Sequence, residues 1–242
     1  MTKVFPTGNR EFYLTSPSPC PYVKGQRERK VFTFLGGEGA ASLNALLSQR
    51  GFRRSQNIAY LPACDGCSAC KPVRVPVAGF DERPWRRTLR RNADLIRAAR
   101  PPRTTSEQFS LLRAYLDARH ADGGMSEMTV LDYAQMVEQT PVDTLLIEYR
   151  QPKDEGGELM ACALTDRLED GLSMVYSFFE PEAPRRSLGS FMIADHVAYA
   201  RQLGLPYVYL GYWIDGSPKM DYKRRFGPLE VLGGGQWQPL TD

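Results

Sequence analysis

LSMVYSFFEPEAPRRSLGSFM, residues 172–192, is the segment that decides the fold predicted for this chain. Its first eight residues form a nearly continuous apolar and aromatic run, which is typical of a strand covered on both faces. Pro181 and Pro184 end the strand, because proline lacks the backbone donor that a central strand needs. Ser187 is then predicted to be the N-cap of a helix, with apolar residues at helical spacing behind it.

The turn between this strand and this helix is the first candidate binding site. Arg185 and Arg186 precede the helix, whose first backbone amides have no partner within the helix. Backbone donors, the positive end of the helix dipole and two guanidinium groups attract a phosphate or a carboxylate. An ordinary strand-to-helix connection with two solvated arginines explains the same residues, so both interpretations stay open at this point.

Composition indicates a globular protein with a core of its own. Of the 242 residues, 42% are hydrophobic and 24% are charged, as in ordinary soluble domains. No apolar run approaches the roughly 20 residues of a membrane span. The first residues, MTKVFPTGNREFYL, lack the pattern of a signal or transit peptide. We therefore expect a cytoplasmic protein with no membrane partner.

The net charge is only +3, but the positive charge is concentrated in one segment. Residues 83–103 contain eight arginines and a single acidic residue, Asp94. A solvated helix face is the usual explanation of such a run, yet like charges one helical turn apart repel each other. We predict contacts with RNA phosphates, and no DNA partner, through the arginines of the first two turns. These are Arg83, Arg86, Arg87, Arg90 and Arg91.

Cys64, Cys67 and Cys70 form two overlapping C-x-x-C units in the segment CDGCSAC. With Cys20 they predict a four-thiolate site, suited to zinc or an iron–sulfur cluster. Buried small thiols or a redox pair are the alternatives. Cys162 lies in an apolar strand pattern and is predicted to be a core residue. Five cysteines in a chain of this length do not suggest a disulfide framework.

Residues 1–100 are predicted to form a smaller, cysteine-bearing N-terminal α+β domain. The Pro101-Pro102 pair marks the predicted boundary. Within this part the pattern predicts strands at 31–35, 58–61 and 73–77, a helix at 40–49 and a largely helical basic segment at 84–100.

Residues 101–242 are predicted to form a second α+β domain. The predicted order is two helices, three strands, a helix, a strand and a helix, at 105–120, 131–138, 144–149, 159–165, 172–179, 187–203, 207–212 and 220–226. This order resembles an acyltransferase domain of the Gcn5-related (GNAT-like) type, whose acyl donor binds beside the fourth strand and the following helix. Arg186-Ser-Leu-Gly189 is similar to a degenerate form of the phosphate-binding turn of that fold, which alone is a weak signal.

Several motifs, spread over nearly the whole chain, point to one family. They are GFRRS (51–55), YLPACDGCSACKPVRVPV (60–77), RRNADL (90–95), ALTDRLEDGLSMVYSFFEP (163–181), RRSLGSFMI (185–193) and LPYVYLGYWIDGSPKMDYKRRFGPLEVL (205–232). With these motifs the chain resembles the arginyl-tRNA–protein transferase family of the N-degron pathway, in particular its bacterial leucine-transferring branch. One segment departs from the family: ERPWRR (82–87) stands where SRSQRR is usual, so the arginines are kept and the small polar residues are not.

The resemblance implies an aminoacyltransferase that moves leucine from leucyl-tRNA to proteins beginning with Asp or Glu. The donor is an ester and the product an amide, so the transfer is downhill and requires no cofactor. The nucleophile is an α-amine with a pKa of about 7.7–8.0, so a strong general base is optional. Alignment of the reactants and stabilisation of the oxyanion are the main tasks. The only histidines are His120 and His196, so no Ser-His-Asp set is evident and no covalent intermediate is expected.

Candidate site residues follow from these requirements. A cation is needed for the acceptor's carboxylate, and the candidates are Arg53, Arg54, Arg185, Lys219, Lys223 and Arg224. An apolar pocket is needed for the leucyl side chain, and the candidates, each of which is also a candidate core residue, are Tyr176, Phe178, Phe179 and Tyr209. The phosphate-type turn adds the donor-binding candidates Arg186, Ser187 and Gly189. Candidates for catalysis are Tyr176, Asp221 and Tyr222, the last two as groups that orient the amine or, alternatively, as part of a surface helix.

Three other functions compete with this prediction. An arginyl donor is the nearest, and an acidic residue facing the donor side chain would indicate it. An acetyl-CoA-dependent N-acetyltransferase leaves the basic segment and the four cysteines without a purpose. A zinc-ribbon RNA-binding module leaves the aromatic strand and the phosphate-type turn unexplained.

Overall fold

The structure, a computed structural model, describes residues 11–119, 127–155, 157–214, 216–217 and 220–241. Its strands are β1 (Tyr13–Leu14), β2 (Ser18–Pro19), β3 (Arg27–Glu28), β4 (Lys30–Phe34), β5 (Arg53–Ser55), β6 (Ile58–Pro62), β7 (Cys70–Pro76), β8 (Ile96–Arg100), β9 (Thr144–Arg150), β10 (Leu159–Arg167), β11 (Gly171–Phe179), β12 (Tyr207–Ile214), β13 (Glu230–Gly233) and β14 (Gln236–Pro239). Its α-helices are α1 (Ala40–Gln49), α2 (Arg86–Arg91), α3 (Ser106–Arg119), α4 (Val130–Glu138) and α5 (Leu188–Gln202). Short 3₁₀ helices lie at Arg83–Trp85, Lys153–Glu155, Pro184–Arg186 and Asp221–Arg225.

An eight-stranded sheet holds most of the core, in the strand order β14-β13-β7-β12-β11-β10-β9-β8. β11 and β12 are parallel and are joined by α5, while the other neighbouring pairs of this sheet are antiparallel. Apolar side chains of α5 pack on one face, and those of α3 and α4 pack on the other. Successive strand residues point to opposite faces, so β10 contributes Ala163 to one core and the fully buried Cys162 to the other. The prediction that Cys162 is a core residue is confirmed.

A four-stranded sheet, in the order β1-β4-β6-β5, forms the N-terminal part. α1 covers one face of it, through a small apolar cluster that includes Leu35, Leu47 and Ala59. The opposite face is open, with Phe34 54% exposed. This sheet lies against the large one, because β5 contacts β11.

The predicted α+β class is confirmed, and so is the element order from residue 101 as far as β12. α1 has the predicted bounds, because its apolar residues recur at helical spacing and the chain turns at Gly51. α4 begins with a capping box, in which Thr129 and Asp132 satisfy each other's backbone amides.

Three local predictions are wrong. The basic segment is helical only to Arg91, and residues 96–100 form the edge strand β8 instead. The side chain of Asn92 ends the helix, because its amide donates to the carbonyls of Thr88 at 2.9 Å and of Arg186 at 2.8 Å. Ser187 precedes α5 in a left-handed conformation with φ of 53°, so its hydroxyl does not cap the helix. The last helix is a 3₁₀ turn rather than an α-helix.

The division at residues 100 and 101 stays a prediction, and the strand pairing crosses it. β7 and β8, both from the first hundred residues, belong to the large sheet. β7 lies between β12 and β13, so the N-terminal part of the chain supplies a central strand of the C-terminal part.

Candidate active site

The candidate active site lies where the two parallel strands of the large sheet separate. β11 and β12 pair only at residues 171–173 and 207–209. Beyond these residues each strand stays paired with its outer neighbour, so a V-shaped gap opens between them. Each strand has a bulge at the opening, since Val175 has no counterpart on β10 and Leu210 has none on β7. Bulges bend a strand and redirect its backbone groups, which accounts for the position of the gap.

The guanidinium group of Arg53 occupies this gap. Its Nη2 donates to the carbonyls of Met174 at 2.7 Å and Val175 at 3.1 Å, which the bulge turns to the same side. On the facing strand, Gly211 has a φ of 77°, and a Cβ there would lie 2.3 Å from Nη1 of Arg53. Only glycine allows so close an approach. Nη1 itself is buried and has no hydrogen-bond partner among the described residues.

Lys223 is a second cation in the same place, and unlike Arg53 its whole side chain is buried. It is 7% exposed, and its Nζ donates to the carbonyl of Tyr212 at 2.6 Å. Burial, and after it the nearby Arg53 cation, lower the pKa of Lys223 to about 7, although the Cys70 thiol acts in the opposite direction. No carboxylate of the described residues forms an ion pair with Arg53 or Lys223. Two enclosed cations without an acidic partner make this gap receptive to an anion.

Aromatic side chains line the outer part of the gap. The rings of Tyr115 and Phe179 lie 4.9 Å apart. Gly189 at the start of α5 comes so close to Phe179 that a Cβ would be 3.1 Å from the ring. Burial raises the pKa of Tyr176 and Tyr222, and the phenol of Tyr115 raises both further, although the Arg53 cation lowers that of Tyr222. These phenols are therefore neutral hydrogen-bonding groups at neutral pH, not bases.

Phe178, Tyr209 and Arg54 lie away from this lining. Phe178 is 1% exposed and belongs to the core beneath α3 and α4. Tyr209 donates to Asp170 at 2.8 Å and accepts from Arg74 at 3.2 Å, inside a buried network behind the closed end of the gap. Arg54 is bound to Asp166 through two hydrogen bonds of 2.6 and 2.7 Å. Each side chain is occupied by structural contacts, and the predicted roles of these three residues in substrate binding stay predictions.

The 3₁₀ turn Asp221–Arg225 contributes the remaining C-terminal candidates. Asp221 and Arg224 are exposed on it, and the Arg224 guanidinium lies 5.4 Å from the ring centroid of Trp213. Their predicted roles stay predictions. Lys219, another predicted cation for the acceptor, lies outside the described residues.

The turn before α5 is held against α2 rather than left free. Arg186 forms an ion pair with Asp94 at 2.8 Å, and this hydrogen bond holds the pKa of Asp94 below its ordinary value. Arg91 donates to the carbonyl of Arg185, whose own side chain is exposed. Within the described part of the chain, the side chain of Arg185 is therefore left without an ion pair beside the first amides of α5.

The basic helix α2 presents an uncompensated surface next to this turn. Arg86, Arg87 and Arg90 are exposed, and no ion pair within the described part of the chain involves them. Arg83 differs, because its guanidinium is bound to Asp81 at 2.9 Å. Of the predicted RNA contacts, three are therefore free to bind phosphate.

The four N-terminal cysteines are free, half-buried and close enough to affect one another. Burial raises the pKa of Cys70 to about 11, and the thiols of Cys64, Cys20 and Cys67 raise it in that order. The sulfurs of Cys20 and Cys64 each accept a backbone N–H at 3.4 Å. Even so, the described residues contain no group of three or more His, Cys, Asp or Glu side chains arranged to hold a metal ion. The structure does not support the predicted zinc or iron–sulfur site.

Two family models match this chain and together span both of its parts. The model for the N terminus of arginine-tRNA-protein transferases matches residues 18–91, and the model for the C terminus matches residues 107–233. The chain belongs to the arginine-tRNA-protein transferase family. The predicted enzyme class, an aminoacyl-tRNA–protein transferase, is confirmed by this membership.

Curated relatives in this family match over nearly the full chain. The aspartate/glutamate leucyltransferase of Azorhizobium caulinodans is 58% identical over 240 residues, which cover 96% of each chain. The aspartate/glutamate leucyltransferase of Rhodopseudomonas palustris is 62% identical over 235 residues, which cover 94% of this chain and 91% of that one.

Among solved structures, the chain is similar to the C-terminal domain of a protein described as a lysylphosphatidylglycerol synthetase from Agrobacterium fabrum. The TM-score is 0.50 and the identity 17%, over 69% of this chain and 60% of that one. At this identity the likeness concerns the fold alone, and the GNAT-like fold predicted for the C-terminal part is confirmed. None of the helices in the described ranges is long and apolar enough to cross a membrane.

Three residues of the candidate active site were not predicted from the sequence: Gly211, Tyr115 and Tyr212. An isolated glycine inside a strand pattern indicates a bulge or a close backbone approach, and this signal at Gly211 was available in LGYW. Tyr115 lies on the apolar face of α3 and looks like an ordinary core residue. Tyr212 donates to the carbonyls of Gly51 at 3.0 Å and Tyr60 at 3.1 Å, which only the folded chain brings together.

Proposed function

We propose that this protein transfers leucine from leucyl-tRNA to the α-amine of polypeptides that begin with aspartate or glutamate, in the cytoplasm. The names of its relatives support the donor and the acceptor. The observation that carries the proposal is a pair of cations at the opening of the strand gap, the half-buried Arg53 with its buried Nη1 and the buried Lys223, for which the described residues supply no acidic partner.

The side-chain carboxylate of the acceptor's first residue binds between these cations in the proposal. Nη1 of Arg53 has no partner among the residues that the structure describes, and Lys223 uses one of its three donors on the carbonyl of Tyr212. A carboxylate would place one negative charge between the two cations, at a site where water is largely excluded and charge interactions are strong. Because α-amine and side chain belong to the same residue, this binding brings the nucleophile into the gap.

The donor's leucyl group lies against the aromatic lining in the proposal. Tyr115, Tyr176 and Phe179 offer an apolar wall, and no carboxylate of the described residues affects the pKa of the two phenols. An arginyl side chain would need an acid here to offset its charge. The lining therefore favours a leucyl donor over an arginyl donor.

The chemistry requires positioning more than acid–base catalysis. The neutral α-amine attacks the ester carbonyl, the bond to the 3′ oxygen of the tRNA breaks, and the proton lost by nitrogen leaves with that oxygen. A fraction of the amine is neutral at cytoplasmic pH, given a pKa of about 7.7–8.0. The tasks left to the protein are alignment and exclusion of water, with the hydroxyls of Tyr176 and Tyr222 as the proposed hydrogen-bonding groups and Asp221 beside them.

The tRNA lies on α2 and the turn before α5 in this proposal. Arg86, Arg87 and Arg90 are exposed, and no described acidic residue forms an ion pair with them. Arg185 continues their charge toward α5, together with the turn residues Ser187 and Gly189. Phosphates are the natural ligands of such a surface. No metal or organic cofactor is needed, and a metal at Cys20, Cys64, Cys67 and Cys70 forms no part of the proposal.

Transfer of a radiolabelled amino acid tests the proposal. The protein is incubated with leucyl-, arginyl- or phenylalanyl-tRNA and with peptides that differ only in beginning with Asp, Glu, Asn or Lys. We expect leucine transfer to the Asp and Glu peptides, and at least tenfold less to Asn and Lys, because the two cations favour a carboxylate and repel an ammonium. Equal transfer to all four peptides, or a preference for arginyl-tRNA, contradicts the proposal. Acetyl-CoA in place of the charged tRNA is the control for a small-molecule donor, and we expect no acetylated peptide.

A further inference from the structure

A row of aromatic side chains leads across the N-terminal sheet to the candidate active site. Strand pairing places Tyr13 opposite Phe32, Phe32 opposite Tyr60, and Tyr60 opposite Arg53. Directly opposed residues in an antiparallel sheet share a face. The three rings, here called the aromatic row, therefore lie on the same face as the arginine that enters the strand gap. The rings of Tyr13 and Phe32 stack at 5.5 Å, and Tyr60 lies 6.2 Å from Tyr212 of β12.

This face of the sheet is open to solvent, in contrast to the face that α1 covers. Tyr13 is 41% exposed and Phe34, next to the aromatic row, is 54% exposed. A groove of about 200 Å³ runs over it, lined by Thr15, Lys30, Phe32, Ser55, Ile58 and Tyr60. Exposed aromatic groups at a groove indicate a binding surface rather than a core.

The charge on the groove favours a polypeptide over a nucleic acid. Aromatic rings also stack on bases, but RNA binding needs unneutralised cations along the backbone. Lys30 is the only cation of the groove lining, and it is paired with Glu28 at 2.9 Å. The unpaired arginines lie instead on α2, beside the turn that precedes α5. Arg53 lies at the inner end of the aromatic row, and no acidic side chain of the described residues pairs with it, which matches an acidic residue at the end of a chain.

Dimensions determine which acceptor residues reach the row. Neighbouring strands lie about 4.8 Å apart, so Phe32 is two strand spacings, or about 10 Å, from the strand of Arg53. An extended chain advances about 3.3 Å per residue, so about three residues cover this distance.

We propose that the aromatic row binds the second to fourth residues of the acceptor polypeptide and favours large apolar side chains there. This inference rests on the proposed function, and it adds a preference beyond the first residue. The acidic first residue reaches Arg53, and the chain then crosses β6 and β4 over Tyr60 and Phe32.

Transfer kinetics with two peptides test the inference. One begins Asp-Phe-Leu-Phe and the other Asp-Gly-Ser-Gly, with identical sequences afterwards. Burial of one or two apolar side chains corresponds to a KM about tenfold lower for the first peptide. In Phe32→Ser this ratio should fall to about twofold or less, while the KM for leucyl-tRNA stays unchanged. Phe12→Ser is the matched control, because Phe12 is 51% exposed and lies off the row, against Phe52.

The outcomes separate the possible failures. Equal KM values for the two peptides with the unmodified protein overturn the inference and leave the proposed function intact. A raised KM for leucyl-tRNA in Phe32→Ser also overturns it and assigns the face to RNA. No transfer to either peptide contradicts the proposed function itself. Should Phe32→Ser fail to fold, Tyr13→Ala makes the same comparison at a residue exposed at the outer end of the row.

Discussion

Arg53 and Arg54 stand side by side on β5, and the pleat of the strand sends their side chains to opposite faces. Arg54 meets Asp166 through two hydrogen bonds, and Thr144 donates a further one to that carboxylate at 2.8 Å. The two charged side chains are each 1% exposed. Arg53 meets backbone carbonyls only, and its Nη1 has no partner in the described part of the chain.

The difference between these neighbours separates a structural charge from a functional one. A buried ion pair with complete hydrogen bonding has a structural role, and removing one partner lowers the stability of the protein strongly. A buried cation without an acid lowers stability, and it persists where a ligand supplies the missing charge. Four sets of side chains differ in how their charge is balanced: the two arginines of β5, Lys223, His196 and the exposed arginines of α2.

Matched substitutions of the two arginines should give opposite results, with the largest effects. Arg54→Met leaves Asp166 buried and unpaired, so we expect a loss of about 3–5 kcal/mol in the free energy of unfolding. In Arg53→Met no described carboxylate loses an ion pair, so the free energy of unfolding of this variant should stay close to that of the unmodified protein. Its kcat/KM for an Asp-initiated peptide should fall about 100-fold, the value of a charge-assisted hydrogen bond to a carboxylate. Denaturant unfolding measures the stability of the two variants, and transfer kinetics measure kcat/KM. If Arg53→Met is folded and fully active, Arg53 is not part of the active site.

Lys223→Met should stabilise the protein and abolish efficient transfer. Burial lowers the pKa of Lys223 from 10.5 to about 7. Between these two values the lysine is protonated in the unfolded chain and largely neutral in the folded chain. Stability should therefore rise with pH between about 7 and 10.5, and this rise should vanish in the variant. At pH 7 we expect the variant to gain about 2–4 kcal/mol. A melting temperature below that of the unmodified protein would show that the ammonium is compensated by a group not recognised here.

His196 represents a buried group that stays neutral. Its Nδ1 lies 2.7 Å from the carbonyl of Met192, and Thr165 lies 3.0 Å from Nε2, so both ring nitrogens have partners. Burial lowers the pKa of His196 from 6.5 to about 4, although Met192 and Asp195 act in the opposite direction. On acidification the unfolded chain takes up the proton first, so stability should fall between pH 6.5 and 4, by about 3 kcal/mol. His196→Gln should be less stable at pH 7 but lack this part of the pH dependence; an unchanged slope in unfolding experiments refutes the assignment.

The exposed arginines of α2 should give the smallest effects on the fold and a specific effect on RNA binding. Arg86→Gln with Arg87→Gln should leave stability within about 0.5 kcal/mol. The slope of log affinity for leucyl-tRNA against log salt should decrease by about 0.7–0.9 for each phosphate contact removed. Lys24→Gln with Lys153→Gln removes the same charge from exposed positions elsewhere and serves as the control. If both pairs change the slope equally, net charge rather than α2 governs tRNA binding.

Much of the fold could be predicted because its signals are local. The helical spacing of apolar residues located α1 and α5, and the aromatic run located β11, since each pattern is contained in about ten to fifteen residues. Most of the strands that were missed pair over long distances or are only two or three residues long. β8 reads as part of a basic helix, and only its pairing with β9 makes it a strand.

The site was harder to predict than the fold, for the same physical reason. Arg53 and Lys223 are far apart in sequence, and their proximity depends on the contact of β5 with β11 and on the turn after β12. Both were candidates by residue type, as were Arg54 and Phe178. Only the partners of each side chain distinguish an enclosed ion pair or a core ring from a group that faces a substrate.

The central position of β7 has a consequence for dissecting the chain. Any fragment beginning after residue 100 would lack the strand that lies between β12 and β13, and β12 would then have an unpaired edge beside the strand gap. Unpaired edges of this kind recruit other strands and promote aggregation. The N-terminal segment is therefore not an independent unit, and a junction at Pro101 should destabilise hybrids between relatives.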